Sequence, residues 1–398
     1  MIAHVDADAF FASAIVRKNP HLAGKPLLAL GMGGGCVIAA SYEAKAFGVK
    51  TGMRVMDAIK LCPRAIRMPA DFHEAARASH QIEAILRETC PIVEQMSVDE
   101  WYLDLRTLTG GLPRNLEEWA RERQRTIAAR VGLTVSIGVG PSKLLAKMAG
   151  EYRKPAGVIV LGQSIALEPF LKDRPAAAIP GIGRRRVIHT DAHGWNTAWD
   201  IAQAPTEELR RLFGKNGVEL KEELLGNSLS GVAAEEAPPK SVSRTRSFRP
   251  TKDKDLLWAQ LLKHLEYTVL KMRRDGLSCR GISVWVRDGE YEGGGANASL
   301  PQPACTADAI LPFMRNCFLR SHDPERTYTQ VGLALWHLVP SSAPQYSLFD
   351  TPENTERDET MQKTLDGIHE RFGRSSLTRG SAMRVKTGTA VTVDMSVY

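Results

Sequence analysis

Apolar and polar residues alternate over the first 13 positions of the chain, and this period of two predicts an extended strand. Short apolar runs predict two further strands at Pro26–Leu30 and Cys36–Ala40, around the turn GMGGG. A helix is predicted at Ser41–Phe47, and Gly48 ends it. The glycine-rich segment lacks the Gly-Lys-Ser or Gly-Lys-Thr ending of a phosphate-binding loop, so we interpret it as a turn.

Segments with a helical period and segments with a strand period continue to alternate through the middle of the chain. Helical periodicity predicts helices at Asp71–Thr89 and Leu116–Val131, and apolar runs predict a strand pair around Asp99 and a strand at Leu133–Val139. The segment Gly140–Gly157 predicts a basic helix, with a Pro-Ser start signal and a proline and glycine stop. This order of elements predicts a mixed sheet covered by helices.

The second half of the chain changes character twice. Residues 165–230 are almost wholly helical in pattern, and Ala233–Phe248 has weak periodicity, which predicts an exposed linker with a basic second half. The elements predicted next are a helix at Leu256–Arg274, strands at Gly281–Val286 and Ala296–Leu300, a helix near Ala307–Leu319 and a strand at Gln330–Leu338. They predict a separate α+β domain. After Pro340 the sequence becomes polar, and we expect a partly ordered tail.

Composition narrows the class of protein. A chain of 398 residues exceeds the size of a single core, so two to four domains are expected. No apolar run approaches the roughly 20 residues of a membrane span, and no signal peptide is visible, so a cytoplasmic protein without membrane contact is expected. The six cysteines are widely spaced and are expected to be buried thiols. The net charge of +7 is compatible with a polyanionic partner.

Two adjacent acids, Asp99 and Glu100, interrupt an apolar stretch that is typical of a buried strand. The apolar residues of this stretch are Met96, Val98, Trp101, Leu103 and Leu105. An unpaired buried carboxylate costs several kcal/mol, so this strand requires cationic partners or a bound metal.

A second pair of acids lies near the start of the chain, and together the two pairs suggest a metal site. Asp6 and Asp8 share one face of the predicted strand, because strand side chains repeat with a period of two. With Asp99 and Glu100 they can hold two Mg²⁺ ions about 4 Å apart for phosphoryl transfer. An ideal strand would point Asp99 and Glu100 to opposite faces, so the backbone must turn or bulge there. The alternative is a surface hairpin with two solvated acids.

Five segments, in order and at similar separations, resemble the successive motifs of the Y-family translesion DNA polymerases. They are VDADAFFAS, SYEAKAFGVKTGM, SVDEWYLDL, GVGPSKLLAKMAGEYRKPAG and IPGIG. The resemblance covers about residues 1–340. It implies that Asp6, Asp99 and Glu100 are the catalytic residues and bind two Mg²⁺ ions, with the main-chain carbonyl of Ala7 completing the coordination. Asp8 matches a position that is usually acidic without being a principal ligand.

The resemblance also implies a site for the incoming deoxynucleoside triphosphate. Phe10 and Phe11 would lie at the nucleotide, with Phe11 beneath its sugar, where a ring excludes a 2′-hydroxyl. The alternative for Phe11 is ordinary core packing. Tyr42, Lys45 and Lys154 would contact the triphosphate, whose several charges require more than one cation.

Three positions depart from the polymerase IV branch of this family. That branch has threonine and arginine where Ala39 and Lys45 stand, and here the sequence is closer to the catalytic subunit of bacterial DNA polymerase V. Lysine is a point charge without the bidentate fork of arginine, so we expect the phosphates to be held less rigidly. Ala156 replaces the asparagine of the usual KPNG.

Three basic segments imply contact with primer-template DNA. IPGIGRRR resembles a helix-hairpin-helix turn, in which the amides of Gly181 and Gly183 and the following Arg184 and Arg185 contact a phosphate. A glycine turn without a ligand is the alternative. KSVSRTRSF resembles the basic linker into the little finger domain, where Arg244 and Arg246 would follow phosphates, unless the segment is a solvated loop. Lys143 of the basic helix is a further DNA-binding candidate.

The tail contains a short peptide, QYSLFD, that resembles the segment by which bacterial polymerases bind the sliding clamp. Leu348 and Phe349 would enter an apolar pocket and Gln345 would bind at its rim. Residues 355–398 resemble the carboxy-terminal extension of the polymerase V subunit, which raises the prospect of an accessory subunit of that type.

The resemblance implies an α+β multidomain fold of the right-hand polymerase type. We expect a ferredoxin-like palm at 1–10 and 72–163, fingers at 11–71, a helical thumb with the helix-hairpin-helix at 164–232, a linker at 233–240, an α+β little finger at 241–340 and a tail at 341–398. The expected activity is low-fidelity, template-directed translesion DNA synthesis in the cytoplasm, at the nucleoid. No exonuclease segment is visible, so no proofreading is expected. The alternatives are a catalytically inactive DNA-binding accessory protein of the same fold and a nucleotidyl cyclase.

Overall fold

The computed structural model describes residues 1–31, 34–235, 237–341, 352–373, 376–377 and 379–383. The chain divides into two compact units, and the boundary between them falls at residues 236 and 237. Each unit has its own sheets and its own apolar core. The prediction of a multidomain α+β protein is therefore confirmed.

The first unit contains a five-stranded sheet and a small three-stranded sheet. Its strands are β1 (Ile2–Ala7), β2 (Leu27–Leu30), β3 (Val37–Ala40), β4 (Ile66–Pro69), β5 (Val93–Gln95), β6 (Glu100–Asp104), β7 (Val135–Gly140) and β8 (Val158–Val160). The larger sheet has the order β5-β6-β1-β7-β8, and the smaller has the order β3-β2-β4. The β7–β8 and β2–β4 pairs are parallel and the other pairs are antiparallel, so both sheets are mixed.

Helices connect and cover these strands. They are α1 (Phe10–Lys18), α2 (Tyr42–Lys45), α3 (Val55–Leu61), α4 (Phe72–Arg87), α5 (Leu116–Val131), α6 (Lys143–Tyr152), α7 (Leu167–Asp173), α8 (Arg184–Ala192), α9 (Ala198–Gln203), α10 (Thr206–Phe213) and α11 (Lys215–Leu224). The predicted helices at 71–89, 116–131 and 140–157 correspond to α4, α5 and α6. Two of these helices were missed by the sequence analysis. Helix α3 is too short, at seven residues, for a clear period, and the strand predicted over the first 13 residues was wrong from Phe10 onward, where α1 begins.

The two faces of the larger sheet carry different chemistry. The odd-numbered residues of β1, namely Ala3, Val5 and Ala7, join an apolar core with side chains of α4 and α5. The even-numbered His4 and Asp6 lie on the opposite face, as the period of two requires, and that face is covered by α6. The polar side chains of β1 therefore lie on the side of the sheet that α6 covers.

Helix α6 lies very close to β7, and glycine makes this approach possible. A Cβ added at Gly138 would lie 2.1 Å from the carbonyl oxygen of Ala146 and 2.1 Å from the amide nitrogen of Gly150. Both atoms are helix backbone, so no side chain can turn aside to make room. The close contact brings the lysines of α6 to the central strands.

Among the described residues, the second unit contains a four-stranded sheet and three helices of 15 to 21 residues. Its elements are β9 (Ser241–Thr251), α12 (Lys254–Arg274), β10 (Leu277–Arg287), β11 (Gly295–Ala304), α13 (Ala307–Ser321), β12 (Tyr328–Pro340) and α14 (Pro352–Phe372). The antiparallel sheet has the order β11-β10-β12-β9. The helices and strands predicted between 256 and 338 are all present, each extended by a few residues.

One expectation for this half of the chain is corrected. The interpretation of residues 233–248 as an exposed linker was wrong from Ser241 onward, because Ser241–Thr251 pairs with β12 as an edge strand. Its polar residues hid the strand from a hydrophobicity pattern. The polar tail contains a helix, Pro352–Phe372.

The cysteines follow the expectation only in part. All six lie in the described part of the chain and are free thiols. Cys62, Cys90, Cys279 and Cys317 are buried, whereas Cys36 is exposed on the small sheet and Cys305 is partly exposed. The prediction of buried thiols was therefore wrong for Cys36.

Candidate functional site

Two of the predicted acids lie directly opposite each other in the larger sheet. Asp6 of β1 and Glu100 of β6 are register partners, so their side chains leave the sheet on the same face. Asp6 is 6% exposed and Glu100 is partly buried. Two carboxylates in adjacent positions repel each other, so this arrangement requires positive charge nearby.

Asp99 adopts a different backbone conformation from its neighbour. Strand β6 begins at Glu100, and Asp99 belongs to the bend that precedes it. The amide of Ala7 donates a 2.9 Å hydrogen bond to the carbonyl oxygen of Asp99, and the Ser97 hydroxyl donates a 2.6 Å bond to its carboxylate. The bend supplies the departure from regular strand geometry that a shared site requires.

Two lysines compensate the facing acids. Lys154 Nζ lies 2.5 Å from Asp6 Oδ1, and Lys147 Nζ of α6 lies 2.5 Å from Glu100 Oε1. The four side chains are between 9% and 26% exposed, so water screens these ion pairs only partly. The site therefore contains cationic partners for its acids in the protein itself.

The two acids have opposite pKa shifts. Burial raises the pKa of Asp6 to about 6, although Lys154 acts in the other direction. The pKa of Glu100 lies well below its ordinary value, because the His4 imidazole and the Lys147 ammonium both stabilise the carboxylate. Near neutral pH both groups are ionised and available as metal ligands.

His4 lies beside Asp6 on the same face of β1 and is completely buried. Its Nε2 is 3.9 Å from Glu100 Oε2, and neither ring nitrogen has a hydrogen-bond partner among the described residues. One ligand atom each from His4, Asp6 and Glu100 lie within 4.8 Å of one another. Asp99 is outside this cluster. The carboxylates of Asp6 and Glu100 are hard oxygen donors of the kind that Mg²⁺ prefers, so these two residues fit that ion, whereas the imidazole of His4 is not a donor of that kind.

The aromatic residues beside the acids have different environments. Phe10 is buried in the core of the first unit, where its side chain packs below the sheet. Phe11 is half-buried, and its ring makes edge contacts with Phe10 and Phe72 at 5.5 Å between ring centroids. The Phe11 ring is therefore partly exposed and is held in place by two neighbouring rings.

Tyr42 and Lys45 lie together at helix α2. Lys45 Nζ is 4.4 Å from the centroid of the Tyr42 ring. Burial and the nearby Lys154 lower the pKa of Lys45, so a second positive charge is close by. The Tyr42 hydroxyl donates a 3.4 Å hydrogen bond to Asp8, which links this helix to the end of β1.

The glycine-rich turn lies before α8 in the first unit. Gly181 has a φ of +97°, which glycine adopts without strain. Gly183 is the N-cap residue of α8, and the side chains of Arg184 and Arg185 are exposed. The guanidinium of Arg186 instead donates a 3.0 Å bond to the carbonyl of Gly181, so it stabilises the turn itself.

Two of the three remaining residues that were predicted to bind DNA already make contacts within the protein. Lys143 Nζ lies 2.6 Å from Glu94 Oε2. Arg244 lies 4.0 Å from the centroid of the Tyr267 ring of α12, on the face of β9 that also buries Val242. Arg246 follows on the same face of the strand and is exposed. The clamp-binding candidates Gln345, Leu348 and Phe349 lie outside the described residues.

Sequence reasoning missed two residues of the site. His4 is two positions before Asp6, and the period of two would have placed it on the same face. Lys147 is four positions after Lys143, one helical turn along the predicted basic helix. His4 could have been assigned from this period, whereas Lys147 could not, because nothing in the sequence indicates that α6 lies over β1.

Comparison with protein-family models gives two matches in the order expected for one family. Residues 5–151 match the impB/mucB/samB family, and residues 239–348 match the C-terminal domain of the same family. Together the matches cover more than half of the chain. The chain belongs to the Y family of DNA polymerases.

Curated relatives agree with this assignment. DNA polymerase IV from Moorella thermoacetica is 32% identical over 400 residues, which cover 97% of this chain and 96% of the relative. DNA polymerase IV from Neisseria meningitidis is 32% identical over 355 residues, 86% of this chain and 97% of the relative. The protein is a DNA-directed DNA polymerase. The match to polymerases over almost the whole chain excludes the alternative that it is a nucleotidyl cyclase.

Solved structures show the same fold. The Y-family DNA polymerase chimera Dbh-Dpo4(243-245)-Dbh superposes with a TM-score of 0.75 at 26% identity, over 85% of this chain and 99% of the other. DinB from Sulfolobus solfataricus matches with a TM-score of 0.57 at 26% identity over the same share of each chain. Within the described residues of this Y-family polymerase, no helix is long and apolar enough to cross a membrane.

Proposed function

We propose that this polymerase performs low-fidelity, template-directed synthesis past damaged bases by a two-metal mechanism. Its substrates are primer-template DNA and deoxynucleoside triphosphates. The observation that carries the proposal is the register pair of Asp6 and Glu100, joined to Asp99 by the hydrogen bond between the Ala7 amide and the Asp99 carbonyl. This arrangement places Asp6 and Glu100, from separate parts of the chain, on one face of the sheet and holds the backbone of Asp99 against Ala7.

Asp6, Asp99 and Glu100 would hold two Mg²⁺ ions, with the main-chain carbonyl of Ala7 as a further ligand. Bound there, the ions supply a lower pKa for the primer 3′-hydroxyl and charge stabilisation for the departing pyrophosphate. In this site Lys154 and Lys147 lie against the carboxylates of Asp6 and Glu100, and each lysine would stabilise the ionised, metal-binding form of its partner.

The nucleotide would bind beside the same acids. Lys154 and Lys45 would supply two cations for the triphosphate. The charge of Lys154 helps to lower the pKa of Lys45, so the two ammonium groups lie near each other. Tyr42 lies against Lys45 and would contact the phosphates with it. Phe11 would support the sugar with its exposed edge and exclude a 2′-hydroxyl by contact.

DNA contacts and further partners complete the proposal. Gly181, Gly183, Arg184 and Arg185 would bind phosphate of the duplex, with Lys143, Arg244 and Arg246 as further cations. The palm, fingers, thumb and little finger follow the boundaries given from the sequence. A sliding clamp at residues 345–349, an accessory subunit of polymerase V type and a place at the nucleoid belong to the same proposal.

Primer extension tests the catalytic assignment. The wild-type protein should extend a primer on undamaged and abasic templates, and Asp99→Ala should abolish extension because one metal ligand is lost. Asp57→Ala is the matched control and should extend normally, since Asp57 is an exposed acid on α3 that forms an ion pair with Lys60 of the same helix. A wild-type protein that extends neither template, or full activity in Asp99→Ala, would contradict the proposal.

Sugar selection tests the role of Phe11. Phe11→Ala should raise ribonucleotide incorporation relative to deoxynucleotide incorporation, because the contact with the 2′-hydroxyl is removed. Phe47→Ala serves as the control, since this ring is 41% exposed and packs on Arg64. An unchanged ratio in Phe11→Ala would leave Phe11 with a packing role alone.

Clamp stimulation tests the tail. Deletion of residues 345–349 should remove stimulation by the clamp and leave distributive synthesis unchanged. Equal loss of both activities would show that the segment is needed for folding instead.

A further inference from the structure

Asp8 is a buried carboxylate that the proposed chemistry does not use. It follows β1 directly and is 1% exposed. Its Oδ1 accepts a 2.8 Å hydrogen bond from the Ser136 hydroxyl and a 3.4 Å bond from the Tyr42 hydroxyl. Its Oδ2 accepts a 2.9 Å bond from the amide of Ala156. A buried carboxylate is stable in this position because both oxygens are hydrogen-bonded.

The three donors belong to separate parts of the first unit. Ser136 lies on the central strand β7, Tyr42 begins helix α2, and Ala156 lies in the loop between α6 and β8. That loop carries Lys154 two residues before Ala156. Asp8 therefore connects Tyr42 and the loop that carries Lys154, two of the three proposed triphosphate contacts, to the sheet.

The loop needs an anchor of this kind. Ala156 has a φ of +53°, a left-handed conformation that is unfavourable for a residue with a Cβ. The hydrogen bond from the Ala156 amide to Asp8 offsets part of that cost and holds the loop against the sheet. Without the bond, Lys154 would lose its fixed position beside Asp6.

We propose that Asp8 is a positioning residue for the incoming triphosphate, which it serves by fixing Tyr42 and the Lys154 loop. The inference rests on the proposed function of those two residues. Asp8 does not act as a metal ligand in this assignment, because its oxygens already accept bonds from three donors and it lies outside the His4, Asp6 and Glu100 cluster.

Asp8→Asn tests the inference. An amide of the same shape has one oxygen and no charge. If that oxygen faces the Ser136 and Tyr42 hydroxyls, the Ala156 bond is lost; if it faces Ala156, the NH₂ group donates to the hydroxyls, and in either orientation the remaining bonds lose their charge assistance. We expect the KM for deoxynucleotide to rise about tenfold, which corresponds to one charge-assisted hydrogen bond, while kcat and the half-saturating Mg²⁺ concentration stay close to wild type. Equilibrium binding of deoxynucleotide should weaken by the same factor.

Asp104→Asn is the matched control. Asp104 is also a buried acid of the larger sheet, at the other end of β6, and it binds Arg106 away from the site. Its substitution should leave the KM unchanged. Ser136→Ala is the second variant; it removes one donor to Asp8 without touching nucleotide, and a smaller rise in KM is expected.

Each outcome decides the question. An unchanged KM and unchanged nucleotide binding in folded Asp8→Asn would overturn the inference, as would a collapse of kcat with a raised Mg²⁺ requirement, which would make Asp8 a metal ligand. If Asp8→Asn does not fold, as judged by circular dichroism, an unchanged KM in Ser136→Ala overturns it. Absence of extension by the wild type contradicts only the proposed function, since nucleotide binding still compares the variants.

Discussion

Lys147 should compete with metal for Glu100, and this expectation can be tested by neutralising the lysine. Lys147→Met keeps the length and the apolar stem of the side chain and removes the charge that lies 2.5 Å from Glu100 Oε1. The ammonium and a bound cation attract the same carboxylate and repel each other. Its removal should therefore strengthen metal binding.

The size of the effect follows from the geometry. Two unit charges 4 Å apart interact by about 1 kcal/mol in water and about 4 kcal/mol at the effective dielectric of a protein surface. The Lys147 and Glu100 side chains are 22% and 23% exposed, so they lie between these limits. The ammonium can also move away when metal binds, and we expect a gain of about 1–2 kcal/mol in metal binding. The half-saturating Mg²⁺ concentration should fall by about 5- to 30-fold.

The assay is primer extension at saturating nucleotide over a series of Mg²⁺ concentrations. Lys147→Arg, which keeps the charge, should behave as wild type. Lys172→Met is the matched control, because Lys172 forms a similar ion pair with Glu168 in an exposed part of α7. A half-saturating concentration that is unchanged or higher in Lys147→Met would refute the reasoning and would assign Lys147 to orienting Glu100.

Three further predictions concern packing, pH and exposure. Gly138→Ala should lower the melting temperature by about 6–12 °C in calorimetry, from a cost of about 3 kcal/mol for the 2.1 Å contacts; Gly231→Ala, with open space around it, should not. The half-saturating Mg²⁺ concentration should fall as pH rises through about 6, because Asp6 then loses the proton that blocks ligation; a flat profile from pH 5 to 8 would contradict this. Cys36 should react with Ellman's reagent in the native protein well before buried Cys90, and equal rates would disprove the assigned exposure.

Much of the fold could be predicted from periodicity because local rules govern its elements. Helix α5 was predicted at its observed bounds, since its N-cap asparagine and following glycine are strong signals. Strand β9 was misread, because an edge strand rich in serine and arginine has no apolar alternation to reveal it. Helix α3 was too short to show a period.

The sequence by itself was enough to propose the acids Asp6, Asp99 and Glu100 as a site, and its ordered motifs were enough to indicate the family. It also determined that Asp6 and His4 share a face, because a strand repeats every two residues. These properties depend on neighbours along the chain.

Only the tertiary structure decided which of these residues lie next to one another. The register of β1 against β6 sets Asp6 opposite Glu100, and the close approach of α6 at Gly138 brings Lys147 to that pair. Residues 128 and 148 positions away from Asp8 become its hydrogen-bond partners. Such contacts are set by packing between elements far apart in the chain, and local patterns of hydrophobicity carry no information about them.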